Sequence, residues 1–323
     1  MGLLAALVTV TIWTSFIVIA RASAQRSLAP LDISLLRIVG ASLVLVPWGW
    51  WQVRRRRAQM GASTPASSLG GISPLPLSTT ALLGVFGGVL YAVLAYTGFF
   101  HAPATHAAVL MPGSLPLWTA LLAMVVLHER ITPLRALGLA LIVAGDLLVG
   151  GRSLLSGFAG GEVWKGDLLF MLAAACWATY SVQARRLAVD AVQATIAITA
   201  FALLLYVPVW GVLVALGTVT SHLREAPWSE ILFHLVFQGG GSVVISGIAF
   251  TRMIQHYGPV RSTMITALVP GLSAIGAVLF LGEPLHWNLG AGLALVTTGI
   301  LMGVLRKSPA PAALPTASGK SAA

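Results

Sequence analysis

The feature that most constrains this chain is the spacing of its apolar residues, which fall into separated blocks of roughly 20, long enough to cross a hydrocarbon core of about 30 Å as helix. The blocks lie at 2–20, 31–51, 79–100, 103–127, 133–150, 166–187, 193–217, 230–253, 259–281 and 286–305. Backbone groups in lipid have no water to bond, so a spanning segment must be a helix or part of a closed barrel. The blocks lack strict alternation and are about twice the length of a barrel strand. The pattern therefore predicts an all-α integral membrane protein with ten transmembrane helices. Composition agrees: 9% of residues are charged, against roughly 25% in a soluble domain. Ala22-Ser23-Ala24 resembles a signal cleavage site, but no positive charge precedes the first block and the block is long for a signal peptide. It is read as a retained helix.

The net charge of +10 would suit a nucleic-acid partner if it lined one soluble face. Instead the basic residues sit between apolar blocks, where they act as topology signals, and nucleic acid is set aside. With the N-terminus in the cytoplasm, the inner segments hold Arg54 to Arg57, Arg130, Arg135, Arg185, Arg186, Arg252, Arg261, Arg306, Lys307 and Lys320. The outer segments hold only Arg21, Arg26, Arg152, Lys165 and Arg224. Both termini are thus expected on the cytoplasmic side of a cell (inner or plasma) membrane. Residues 53–78, with four arginines followed by Ser, Pro and Gly, read as a flexible basic loop, and 306–323 as a disordered cytoplasmic tail. The single cysteine, Cys176, excludes an intramolecular disulfide and a multi-cysteine metal site.

The chain also repeats itself. Shifted by 154 residues, Ala95 meets Ala249, Pro116 meets Pro270, Glu129 meets Glu283, Gly138 meets Gly292 and Gly145 meets Gly299. Near the start of each half the shift is 164: Trp13 meets Trp177, Ser15 meets Thr179, Phe16 meets Tyr180 and Arg21 meets Arg185. The halves, 1–150 and 166–305, hold five blocks each. An odd number of crossings inserts the second copy upside down. Inverted repeats of this kind underlie alternating access, in which two halves rock about a site near the bilayer midplane.

The residues of the repeat carry a family resemblance. In the first half they are Trp13-Thr14-Ser15-Phe16, Arg37, Tyr96 through Pro116, Leu127-His128-Glu129-Arg130, Gly138 and Gly145. In the second they are Trp177-Ala178-Thr179-Tyr180, Gly258-Pro259 through Pro270, Leu281-Gly282-Glu283-Pro284, Gly292 and Gly299. Each half resembles an EamA domain of the drug/metabolite transporter superfamily. The resemblance implies a secondary transporter exporting small metabolites, amino acids or drugs, with no cofactor and no enzymatic step. The first-helix glutamate of the small multidrug members has no equivalent here. A membrane enzyme acting on a lipid or quinone, a flippase and a passive channel stay open as alternatives. Paired catalytic carboxylates, a histidine box, a serine elbow and a phosphate-binding loop are all absent from the sequence. The expected partners are a small-molecule substrate and the bilayer, with a homodimer left open.

Charges within a bilayer are costly unless paired or wetted, so each marks a candidate site. Arg37 can hold an anionic group, or else snorkel to the interface or pair with Asp32. Asp146 is a candidate for ion coupling, or else makes a helix-end contact. Trp13 and Trp177 can stack on a substrate or simply pack; Tyr96, Tyr180 and Tyr91 belong to the same class, and Ser15 lies in the same motif. Gln238, beside Gly239 to Gly241, needs a partner for its amide. Pro112 and Pro116 in the fourth block and Pro270 in the ninth break their helices at corresponding places, the best pointer to a cavity. Glu129 and Glu283 follow helix C-termini, where the dipole disfavours an anion, so both are expected to be paired as end-markers, with gating as the alternative. His101 and His106 read as interfacial, and no metal site is expected.

Overall fold

The computed structural model describes residues 2–60, 66–129, 131–158 and 160–304. Within them the chain is helical throughout, apart from turns and an isolated bridge between Ser68 and Ser73. In chain order the helices are α1 (Gly2–Ser23), α2 (Pro30–Met60), α3 (Leu77–His101), α4 (Ala104–Val126), α5 (Pro133–Gly157), α6 (Val163–Arg186), α7 (Ala191–Ala215), α8 (228–266), α9 (Leu268–Leu281) and α10 (Trp287–Val304). Among the described residues, seven are long and apolar enough to cross a membrane: α1 to α5, α7 and the first part of α8, Trp228–Met253. The α6 helix carries Lys165 and Asp167 near one end and Arg185 and Arg186 at the other; α9 and α10 are apolar but shorter. The outer surface is apolar, with Leu279 72% and Phe280 80% exposed. Polar groups such as Asp32, Asp167 and Gln238 are buried. That is the arrangement hydrocarbon solvates.

Helix ends follow their local chemistry. Asp190 accepts the N–H groups of Val192 and Gln193, each at 3.1 Å, and starts α7. Thr132 caps α5, whose first residue is Pro133. Gly282 ends α9 at φ 66°, a left-handed conformation that glycine adopts without strain.

Two expectations are corrected. The flexible loop drawn from residue 53 is helical as far as Met60. The Arg54 guanidinium lies 3.6 Å from the Trp50 ring centroid and that of Arg55 5.3 Å from Trp51, and arginine is a good helix former, so the helix continues past the apolar block. Beyond it, Arg57 donates to Ser67 (2.7 Å), and the Thr80 hydroxyl bonds those of Ser68 and Ser73. The joint expected between the eighth and ninth blocks is helical, and the break falls instead at Ala267. Arg130 and the tail 306–323 lie outside the described residues, as do the side chains of Arg152, Arg261 and the Gly258-Pro259 stretch.

The packing mirrors the sequence repeat. The α1 helix packs on residues 246–266 and α6 on 91–101; α2 packs on 235–245 and α7 on 85–90. The last two targets, Leu235–Ile245 and Val85–Leu90, are both π-helical. The final helices of the halves, α5 and α10, pack along each other. A β-carbon on Gly145 would sit 2.6 Å from the Gly292 carbonyl oxygen, and one on Gly292 2.9 Å from that of Gly145. Gly299 meets Gly138 in the same way, so the two helices run antiparallel at backbone contact.

Candidate functional site

A cavity of about 620 Å³ lies between the halves, within the range of small-molecule sites. The α1 helix supplies Trp13 and Phe16, α2 Arg37 and α3 Tyr91; α4 supplies Pro112; α6 supplies Trp177 and Tyr180, α7 Thr195 and Thr199, and α8 Ser242 and Phe250. The π turns shape this wall. One carries Gly87 and Gly88, another carries Ser242, and a third, Val109–Gly113, holds Pro112, which has no N–H to give a regular helix.

Arg37 donates from Nη1 to Ser242 Oγ at 2.9 Å. Its guanidinium carbon lies 5.5 Å from the Phe16 ring centroid and 6.0 Å from that of Tyr91. Asp32 is engaged elsewhere: it accepts from Ser221 Oγ, the His222 N–H and the Ala29 N–H. Among the described residues no carboxylate pairs with Arg37, and the cavity wall holds no acid. Trp177 packs between Tyr91 and Tyr180, at 4.9 and 5.1 Å between ring centroids, and Trp13 lies 5.1 Å from Phe250.

Of the residues singled out from sequence, the cavity brings together Trp13, Arg37, Trp177, Tyr180 and Pro112. Tyr96 stands one layer behind, buried with its ring edge-on to Phe16 at 5.9 Å. Ser15 is half-buried and outside the wall. Gln238, fully buried one turn before Ser242, has neither amide atom hydrogen-bonded among the described residues; a β-carbon on the adjacent Gly239 would meet Gly40 and Ala41 backbone at 2.5 Å. Asp146 is buried in α5 away from the cavity, and among the described residues both its carboxylate oxygens lack a hydrogen-bond partner. Pro116 and Pro270 sit beside wall residues, Leu115 and Val269, without lining the cavity themselves. Sequence reasoning missed Ser242, Phe250, Thr195 and Thr199 as wall residues. Ser242 directly follows the glycine run of the eighth block, the one signal that marked its place.

The two ends of α4 carry related ion pairs. At its start, Glu283 accepts the N–H of Ala104 (2.8 Å) and of Thr105 (2.9 Å). Arg21 Nε lies 3.6 Å from Glu283, an ion pair without a direct hydrogen bond, while Arg21 Nη1 donates to the Phe99 carbonyl at 2.6 Å. Past the other end of α4, Arg185 Nη2 lies 2.7 Å from Glu129 as an ion pair, with Arg135 at 3.6 Å. The side chains of Arg21 and Glu283 are 21% and 12% exposed, those of Arg185 and Glu129 69% and 25%. The cavity reaches Arg185, Ala188 and Val189 but neither Arg21 nor Glu283.

At the Glu283 end a smaller cavity, about 430 Å³, holds His106 and Ser153. His106 Nδ1 lies 2.9 Å from Asp167, and Ser153 donates to the same carboxylate. The serine bonds the acid rather than the imidazole, so the trio lacks the nucleophile-to-base contact of a hydrolase. Among the described residues no group of three His, Cys, Asp or Glu is placed to hold a metal.

Comparison with known proteins agrees with this geometry. The model of the EamA-like transporter family matches residues 1–151 and 164–305. YyaM, an uncharacterized transporter of Bacillus subtilis (strain 168), is 26% identical over 232 residues, 70% of this chain and 72% of that protein. A protein of known crystal structure, 20% identical, has the same fold with a TM-score of 0.58, over 94% of this chain and 97% of its own.

Proposed function

The chain belongs to the EamA-like transporter family of the drug/metabolite transporter superfamily, a multi-pass membrane transporter, and on that premise we propose a secondary carrier that exports small molecules by alternating access. In this reading all ten helices cross the cell membrane, both termini are cytoplasmic and the second repeat is inverted relative to the first. The antiparallel contact of α5 and α10 through repeat-related glycines supports the inversion, because a two-fold axis across a helix pair makes its members antiparallel.

One observation carries the mechanism. The pairs Arg21–Glu283 and Arg185–Glu129 are copies of each other under the repeat shifts, stand at opposite ends of α4, and differ in burial. A helix of 23 residues is about 34 Å long, so the pairs stand on opposite sides of the hydrocarbon. The main cavity stops short of Arg21 and Glu283 and leads toward the Arg185 end, which on this reading is the cytoplasmic one. This is the state that would load substrate from inside. Turnover exchanges the burial of the two ends: Glu283 releases α4, and the Glu129–Arg185 pair, already in contact, becomes buried as the emptied side closes. The ion pair is repeated at the two ends but the backbone bonds are not, since Pro259, without an N–H, stands where Thr105 donates to Glu283. Asp146, buried without a hydrogen-bond partner among the described residues, is the candidate for ion coupling.

The test combines labelling with transport. In a Cys176→Ser background, Lys165→Cys should react with a membrane-impermeant maleimide from outside intact cells, and Ala188→Cys should not. Reconstituted protein should show counterflow, which a channel does not. Labelling of position 188 but not 165 would reverse the orientation, and equal labelling of both would remove the inverted topology.

A further inference from the structure

Resting on the carrier reading above, we propose that the cavity selects organic monoanions with an aromatic or otherwise apolar body and discriminates against amines and zwitterions. Two arginines reach the cavity wall, and Arg185 is engaged by Glu129. Arg37 is therefore the charge that awaits a partner. Among the described residues its guanidinium meets neutral partners, donating to the Ser242 hydroxyl and facing the Tyr96 phenol, which leaves donors for a carboxylate. Around it stand Trp13, Phe16, Tyr91 and Trp177, flat apolar faces against which a ring can stack. The site thus matches a molecule with a carboxylate at one end and a ring at the other.

The same wall is unfavourable to an ammonium group, because no carboxylate lines it. The hydroxyls of Thr195 and Ser246 donate to carbonyls one turn back in their own helices and remain only neutral acceptors. Aromatic faces attract cations, but the rings of Phe16 and Tyr91 already lie 5.5 and 6.0 Å from the Arg37 guanidinium. An ammonium placed on them would sit beside a like charge.

The probes are 3-phenylpropionate, L-phenylalanine and 2-phenylethylamine, which share a ring and differ in charge. Binding to the full chain in lipid nanodiscs is measured by calorimetry, and movement by counterflow. The expected order is 3-phenylpropionate tighter than phenylalanine by about 10-fold or more, because the ammonium of phenylalanine sits beside a like charge (10-fold is about 1.4 kcal/mol), with phenylethylamine, which also lacks the carboxylate, weakest. Arg37→Gln should weaken 3-phenylpropionate by a similar factor and the neutral 3-phenylpropanamide by clearly less, while Arg37→Lys should keep the preference for the anion. Equal or tighter binding of phenylalanine or phenylethylamine overturns the proposal, as does an Arg37→Gln protein with the original order. If Arg37→Gln does not fold, the order measured on the unmodified protein decides. Should none of the three probes bind while another metabolite gives counterflow, the substrate class is wrong and the carrier reading stands. Absence of counterflow with every metabolite tried, together with failed labelling, removes the carrier reading itself.

Discussion

The two ends of α4 hold the same pair of residue types, duplicated by the repeat, in unlike surroundings. At the start of the helix Glu283 is held by two backbone N–H groups and sits where the helix dipole favours an anion. Past the end of the helix Glu129 sits where the dipole disfavours it and is held by the exposed Arg185 and by Arg135. The difference teaches that an ion pair's weight here comes from what else the carboxylate bonds. It also resolves a puzzle in the sequence, where Glu283 follows the C-terminus of its own helix with no basic neighbour. Gly282 turns the chain, and Glu283 reaches the N-terminus of a helix from the other repeat.

The largest effect should come from removing that carboxylate. Glu283→Ala leaves two helix N–H groups unbonded and Arg21 without its counter-charge. Hydrogen bonds to charged groups contribute about 1.5–3 kcal/mol each, so a loss of about 3 kcal/mol is expected, read as a lower unfolding temperature in detergent. On the alternating-access reading counterflow should fall with it, because Glu283 then no longer ties α4 to α9. Glu129→Ala should cost under about 1 kcal/mol, as for exposed ion pairs. Equal losses in the two variants would break the comparison and remove burial as its cause.

Most of this fold could be read from hydropathy, because a bilayer makes every spanning segment declare itself as a run of apolar residues. The helix pattern and the two halves follow from that and from paired residues such as Glu129 and Glu283. The reading failed where side-chain chemistry rather than hydropathy sets the backbone. Arg54 and Arg55 stack on Trp50 and Trp51 and extend α2 beyond its apolar block. The candidate site was legible in part. Trp13, Arg37, Trp177 and Tyr180 were found because they are polar or aromatic within an apolar block. Gln238 and Asp146 stood out for the same reason but lie off the cavity wall, because hydropathy gives depth and not helix face. Ser242 and Phe250 are unremarkable in sequence and reach the wall through the π-helical turn that precedes Ser246.

The next step down concerns the arginines. Arg21 is anchored twice, to Glu283 and to the Phe99 carbonyl, and is mostly buried. Arg21→Gln should therefore cost about 1.5–2 kcal/mol, the lower part of the range for one hydrogen bond to a charged group. Arg185→Gln breaks a shorter contact of 2.7 Å, yet at 69% exposure it should cost less than about 0.5 kcal/mol. Unfolding temperatures of the two variants, measured side by side, set distance against burial as the deciding quantity. A larger loss from Arg185→Gln would favour distance.

The smallest effect is also the sharpest test of why the ends differ. Raising ionic strength from 0.1 to 1 M shortens the screening length from about 10 Å to about 3 Å. Ions can reach Arg185, so the cost of Glu129→Ala should shrink by a few tenths of a kcal/mol toward zero. Ions have poor access to Glu283, and its backbone hydrogen bonds act over less than 3 Å. The cost of Glu283→Ala should therefore stay nearly constant across the same salt series. If both costs fall together, Glu283 is held by long-range attraction to Arg21, and it is the arginine rather than the α4 N-terminus that holds this end together.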